Sequence, residues 1–289
     1  MKTPSGDLFH LVKSLNMNEK RYFKVYIHRY TKERAHNCVM LFDSLDKQKE
    51  FDENPIREKL SLQPGELGQL KIFLHQNIIK SLVAFNSKTA SVSAQIRELS
   101  DEIEILFNKS LYRQCLKKLE KAKALAYTYE KYALLFEIMK WDRKLAAAGF
   151  VKTKMRQSFS MIYEEEKNIL KKLLNVHEYG ELADRLGSYW VTDDDVRNTK
   201  KMREMKEIMK NPLLRNEKMA LTTSAKLSYH YALGMNAMTN EDGAESYKHL
   251  NNIVKYLEQF PWRIEENPSG YISDLHNFMI TCFQLKKKG

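Results

Sequence analysis

Residues 96–129, IRELSDEIEILFNKSLYRQCLKKLEKAKALAYTY, decide how the chain reads. Leu99, Ile103 and Leu106 recur at the spacing of one helical face, and Tyr112, Cys115, Leu119 and Ala122 do the same after a break at Ser110. Two amphipathic helices joined by a short turn bury those faces by folding back on each other, so the stretch predicts an antiparallel hairpin. The small side chain of Cys115 lets the helices approach, and Leu119 and Ala122 fill the groove toward a following pair.

The same period runs through almost all of the 289 residues, and strand-like alternation is hard to find. About fourteen helices and no sheet are expected, an all-α chain. With only 10 Gly and 6 Pro the composition excludes collagen-like and turn-rich all-β designs, and 43% hydrophobic residues support a real core. Helix starts are read at Thr3 before Pro4, Asn16 with Glu19 three residues on, Asn54 before Pro55, Thr192 with Asp195, and Asn267 before Pro268. Stops are read at Gly149, Asn211-Pro212, Asn240 to Gly243, and Phe260-Pro261.

One compositional shift falls at residues 86–95, NSKTASVSAQ, small and polar with a single charge. It places a boundary between an N-terminal helical domain, 1–90, and a succession of helical hairpins, 91–289. The first domain ends in a long helix near 65–86 with Leu67, Leu70, Leu74, Ile78, Leu82 and Phe85 on one stripe. A helix-turn-helix can be drawn there, from 55–61 through Leu62 to Gly65 into Glu66. Its reading helix would open on an acid and two leucines, which suit packing better than base edges.

A second hairpin starts near Leu227, where Leu233-Gly234 precedes Ser246, Leu250 and Ile253 on the partner helix. These spacings resemble the tetratricopeptide repeat, a unit of about 34 residues with fixed small, aromatic and large positions. With Ile96 as the first position, Ser110, Tyr112, Cys115, Leu119 and Ala122 match in kind, whereas Glu102-Ile103 stands where Leu-Gly is expected and no Pro closes the unit. In the second match the pair is present, but Glu241 and Gly243 replace the expected turn residues. Residues 130–215, with long helices near 152–176 and 193–210, read as degenerate, unequal hairpins. The layout is also similar to an uncharacterised family of bacterial helical-repeat proteins. The resemblance implies an irregular α-solenoid and brings no activity with it.

In the last helix Tyr271, Leu275, Phe278, Cys282 and Leu285 form one stripe, and Ile272, Met279, Ile280 and Phe283 widen it. A terminal repeat is expected to be polar outside. This one predicts an exposed apolar interface at Tyr271, Leu275, Phe278 and Cys282 for a partner or a second copy, a repeat array incomplete at Gly289, or a helix folded back into its own core.

Motifs for catalysis and metal binding are missing. The eight His include no pair at i+3 or i+4, and there is no H-E-x-x-H, G-x-S-x-G, P-loop or dinucleotide fingerprint, so no catalytic, metal or cofactor residue is assigned and the chain is expected not to be an enzyme. Glu164-Glu165-Glu166 reads as a solvated helical run and Asp193-Asp194-Asp195 as a helix start. Cys38, Cys115 and Cys282 are far apart among apolar residues, as in a reduced cytoplasmic protein, and no segment reads as a signal peptide or membrane span. The net charge of +11 is spread as +5, +3 and +3 over 1–100, 101–200 and 201–289. Its densest stretch, 20–34, sets Lys20, Lys24, His28 and Lys32 on one line and Tyr22, Phe23, Tyr26, Ile27 and Tyr30 on the opposite face. Two functions compete. One is a non-catalytic scaffold holding a protein or peptide in a helical groove, with Asn108, Arg113, Tyr229 and Asn236 facing it. The alternative is a nucleic-acid-associated regulator whose Lys20, Lys24 and Lys32 touch phosphates while the repeats sense a partner.

Overall fold

The computed structural model describes residues 5–30, 35–60, 64–86, 91–150, 155–191 and 199–288, and among them every regular element is helical. The expected starts at Thr3 and Thr192, the Asp193–Asp195 run, Lys32 and the turn at 61–63 lie outside the described residues. The chain divides into two compact units, 1–90 and 91–289.

The first unit contains α1 (Ser5–Ser14), α2 (Met17–Tyr30), α3 (Ala35–Lys47), α4 (Asn54–Leu60) and α5 (Pro64–Asn86). Asn16 opens α2 as its sequence suggests: its Oδ1 accepts from the backbone N–H of Asn18 and Glu19 at 2.9 and 3.0 Å, while the Glu19 carboxylate accepts from the Asn16 N–H at 2.8 Å. Asn54 is the first residue of α4 and not its cap: the Glu53 carbonyl accepts the first helical bond, from the Arg57 N–H at 3.0 Å, and the Asp52 carboxylate accepts from the Asn54 N–H at 2.9 Å. α3 is the central helix, packing on the other four. Leu67, Leu70, Leu74 and Ile78 of α5 are buried in the shared core with Phe23, Ile27, Leu41 and Phe42. Two residues at the front of the would-be reading helix are thus core.

The second unit opens on the predicted hairpin, α6 (Val92–Asn108) and α7 (Tyr112–Thr128), followed by α8 (Tyr132–Ile138) and α9 (Lys140–Ala147). Then come α10 (Met155–Val191), α11 (Thr199–Met209) and two 3-10 turns, Pro212–Arg215 and Glu217–Met219. The unit ends with α12 (Thr223–Thr239), α13 (Gly243–Gln259), α14 (Pro261–Glu266) and α15 (Pro268–Lys288).

Four of its helices stop in the same way. After α7 the N–H of Lys131 bonds to the carbonyl of Ala126 at 2.8 Å and that of Glu130 to Tyr127 at 3.3 Å, and the same crossed pair closes α6, α9 and α12. Each needs one left-handed residue: Ser110, Glu130, Gly149 and Glu241, with φ of 59°, 49°, 80° and 57°. Only one is the glycine such a position favours. The neighbouring Gly243 has another use, since a Cβ on it would meet Leu285 Cδ2 at 2.9 Å.

The middle of the unit departs from the expected run of unequal hairpins. Residues 155–191 form one unbroken helix, about 55 Å long at the α-helical rise. It continues through Gly180 and Gly187 because both its ends have a core to bury into: Ile169 joins the core of α6 to α9, and Tyr179, Leu182 and Leu186 join that of α11 and α12. Gly187 admits the Tyr231 ring of α12, whose hydroxyl lies 3.0 Å from where a Cβ would stand.

Candidate binding cleft

One face of α7 presents Leu116, Leu119, Glu120, Lys123 and Tyr127 at helical spacing. α9 faces it with Asp142 and Leu145, and α10 with Ser158, Met161, Ile162 and Glu165, again three, four and seven residues apart. Phe150 joins them because the left-handed Gly149 turns the chain back over the end of α9. Residues of these three helices and Phe150 enclose an open cleft of about 400 Å³, with walls of Leu116, Leu145, Phe150, Met161 and Ile162. That volume lies in the range of small-ligand and side-chain pockets. Phe150 packs at a tilt on Tyr112, ring centres 4.8 Å apart, and Met161 is 60% exposed.

The polar end is an ion cluster. Lys123 Nζ donates to Asp142 Oδ2 at 2.8 Å and to Glu165 at 3.1 Å, and the Tyr127 hydroxyl donates to Glu165 at 2.5 Å. Burial works against the charge on Lys123, but the two carboxylates outweigh it and raise its pKa. Burial also holds the Asp142 carboxyl above the usual carboxylate range, with Glu165 and Glu120 adding repulsion that Lys123 does not cancel. The Tyr127 phenol is raised by burial and by the adjoining Glu165.

The acidic run 164–166 is therefore not one solvated face. At 100° per residue its members part company: Glu164 is exposed beside Lys167, Glu165 enters the cleft, and Glu166 is buried against Arg143.

The groove residues read from the sequence are placed elsewhere. Asn108 and Arg113 are exposed on either side of the Ser110 turn, and Asn236 is half-buried on α12; none is among the residues lining the cleft. Tyr229 is corrected outright, being buried against Tyr179, His230 and His249. At 8% exposure this aromatic on the packed face of α12 contributes to the core and not to a groove surface.

In the C-terminal helix the expected interface is reversed. Tyr271 and Phe278 pack toward Leu250, Ile253 and Leu257 of α13, and Leu275 and Cys282 are half-buried. Of the widened stripe, Ile272, Met279 and Phe283 are presented to solvent at spacings of seven and four, and Ile280 is half-buried.

In the first unit Lys20 pairs with Asp46 at 2.6 Å and Lys24 with Asp43 at 2.7 Å, so both lysines lie along α3 and are neutralised there. Tyr22 packs on Phe85 at 5.2 Å and Phe23 is buried.

Two clusters escaped the sequence reading. One is the cleft; the other is His230 and His249, nineteen residues apart, whose Nδ1 atoms come within 2.9 Å in a buried setting. Glu217 flanks the first at 3.6 Å and Glu245 the second at 3.4 Å.

No family model, curated protein or solved structure matches this chain. Among the described residues no group of three or more His, Cys, Asp or Glu is placed to hold a metal ion, and no helix is long and apolar enough to cross a membrane.

Proposed function

We propose that the chain is a non-catalytic scaffold that binds a protein or peptide segment through the helices of residues 91–289, in an irregular, tetratricopeptide-like arrangement. The cleft between α7, α9 and α10 carries this reading. Its walls are apolar and open, and its charged groups are engaged with one another, which suits orienting a bound segment. Support for the repeat-like arrangement comes from Cys115 and Ser246, both fully buried small residues at equivalent places in the hairpins α6–α7 and α12–α13. Gly234 adds to it, since a Cβ there would stand 3.0 Å from Leu250. The surface stripe of Ile272, Met279 and Phe283 offers further apolar contact area.

The test is selection of peptides from a random phage-displayed library on the purified full chain, followed by affinity measurement against wild type and Met161→Trp. The exposed site tolerates the larger ring, which fills the cleft. Selected peptides are expected to lose at least about tenfold in affinity for the variant, roughly 1.4 kcal/mol. An absence of enriched peptides, or equal binding to both proteins, would overturn the proposal.

A further inference from the structure

The outward side of α15 carries no charge among the described residues. From Pro268 to Leu285 the one charged residue is Asp274, in a chain of which 29% is charged. Asp274 stands two residues past Ile272, about 200° around the helix, on the side where its charge reaches Tyr231 of α12. The face turned to solvent is Ile272, His276, Met279 and Phe283, of which Ile272, Met279 and Phe283 are 65%, 53% and 62% exposed. Half-buried Leu275 and Ile280 flank them. Absence of charge together with exposed Met and aromatic side chains is the make-up of an interface core.

The stripe suits a second copy of itself. Its spacing of four, three and four residues reads the same in both directions, so an antiparallel mate on a two-fold axis sets Ile272 against Phe283 and His276 against Met279 throughout. That register lays the larger ring on the smaller aliphatic chain at both ends and runs the two helix dipoles in opposite senses. The area also suffices. The three exposed side chains leave roughly 400 Å² open on each copy, and with their flanks a symmetric pair buries about 1,000–1,200 Å², the lower bound of a specific interface.

We propose that α15 pairs antiparallel with α15 of a second copy through Ile272, His276, Met279 and Phe283, making the chain a reversible homodimer. The contact uses none of the residues that line the cleft, so it stands whether or not a peptide binds there. If the cleft holds a peptide as proposed above, the pair offers two such sites, and a partner with two segments gains by effective concentration.

Sedimentation velocity of the full chain in reducing buffer, which keeps Cys282 from linking copies, tests the pairing between about 1 and 200 μM. Wild type is run beside Ile272→Glu, Phe283→Lys and the two combined, and is expected to dimerise with a Kd on the order of 10 μM, in keeping with so small an interface. Each single substitution sets a charge against an apolar side chain at both ends and should weaken the dimer at least about tenfold. In the combined variant the introduced acid meets the introduced base of the other copy at both ends. That dimer should be tighter than either single variant's, by a margin that shrinks in high salt. The two positions lie about 16 Å apart along one helix, so no pair within a chain imitates the recovery. Circular dichroism melts like that of wild type, expected at positions this exposed, show the variants folded. Met279→Gln should give a smaller loss without any new charge and serves if either single variant melts early. A wild-type chain still monomeric at about 200 μM, a dimer indifferent to all these substitutions, or a combined variant no tighter than the singles would each overturn the proposal. The first of these would leave the stripe to a partner of a different kind, and the last would show that the two helices do not meet antiparallel.

Discussion

Arg263 reaches across 133 residues of sequence to Glu130, its Nη2 lying 2.5 Å from Oε2, and the two side chains are 13% and 17% exposed. Glu130 is held in the left-handed region, and its carboxylate accepts from the backbone N–H and the hydroxyl of Thr223 at 3.0 Å each, so a residue that ends α7 also caps the first turn of α12. The Arg263 guanidinium also donates to Ser224 at 3.1 Å and stacks on Trp262 at 4.5 Å. Removing the cation alone leaves a mostly buried carboxylate with its strongest partner gone. Arg263→Met is therefore expected to cost about 3–5 kcal/mol, and adding Glu130→Gln should return part of that loss. A double-mutant cycle by urea denaturation reads the coupling; singles that sum to the double within about 0.5 kcal/mol would show that the pair is not a working contact.

The buried histidines set the response to acid. With Nδ1 atoms 2.9 Å apart, one ring donates and the other accepts, so at least one must be neutral at that nitrogen. Burial depresses both, His230 to about 4, with Glu217 opposing the shift and His249 and Lys248 reinforcing it. Lys226 and Tyr229 of α12 and Glu245 and Tyr256 of α13 complete the groups packed around them. A folded-state pKa below the unfolded value means that the stability is fully present above about pH 6.5 and is lost as pH falls toward 4. For His230 the loss is on the order of 3 kcal/mol. Urea midpoints of wild type and a His230→Phe, His249→Phe double variant across this window check it: the variant should show the flatter profile, and parallel profiles would remove the pair from the account.

The parts of this fold that were legible in the sequence are those fixed by neighbours a few residues away. The Asn16–Glu19 box and the apolar faces of α6, α7 and α5 each follow from local spacing. What was hidden depends on distant partners. Lys123 meets Glu165 across 42 residues, and nothing in the run 164–166 tells which of three acids turns inward. The left-handed turn at Glu130 carries no glycine to announce it, because the buried, hydrogen-bonded carboxylate holds the strained backbone in place. Gly180 and Gly187 lie within a helical run in the sequence, and the helix passes through both because its packing outweighs their low propensity.

Two of the helix glycines should respond to substitution with opposite signs. At Gly180 nothing lies within 4 Å of an added Cβ, so Gly180→Ala is expected to stabilise by about 0.5–1 kcal/mol through helix propensity and a less free unfolded chain. At Gly234 the Cβ would stand 3.0 Å from Leu250 Cδ2 and 3.2 Å from Cγ, and Leu250 is itself buried. Gly234→Val should cost about 1–3 kcal/mol by overpacking. Thermal melts of the two variants beside wild type give the comparison. A stabilising Gly234→Val would mean that α12 and α13 are further apart than this packing requires.

Asp274 should tilt the pH profile the other way from the histidines. It sits on α15, half-buried, where it and Asp184 add to the burial that raises the Tyr231 phenol, and burial lifts its own carboxyl from the ordinary 3.8 to about 6. The folded chain thus prefers the protonated acid. Relative stability is greatest below about pH 4 and is lost as pH rises through 6, so at neutral pH the ionised carboxylate opposes folding. Asp274→Asn, which keeps the shape and removes the charge, is expected to stabilise by about 1–2 kcal/mol at pH 7 to 8, after allowance for solvent screening, and by almost nothing near pH 4. Urea midpoints of the two proteins at these pH values measure the difference directly. A substitution that destabilises equally at every pH would show that the Asp274 carboxylate finds in solution a partner strong enough to outweigh its burial.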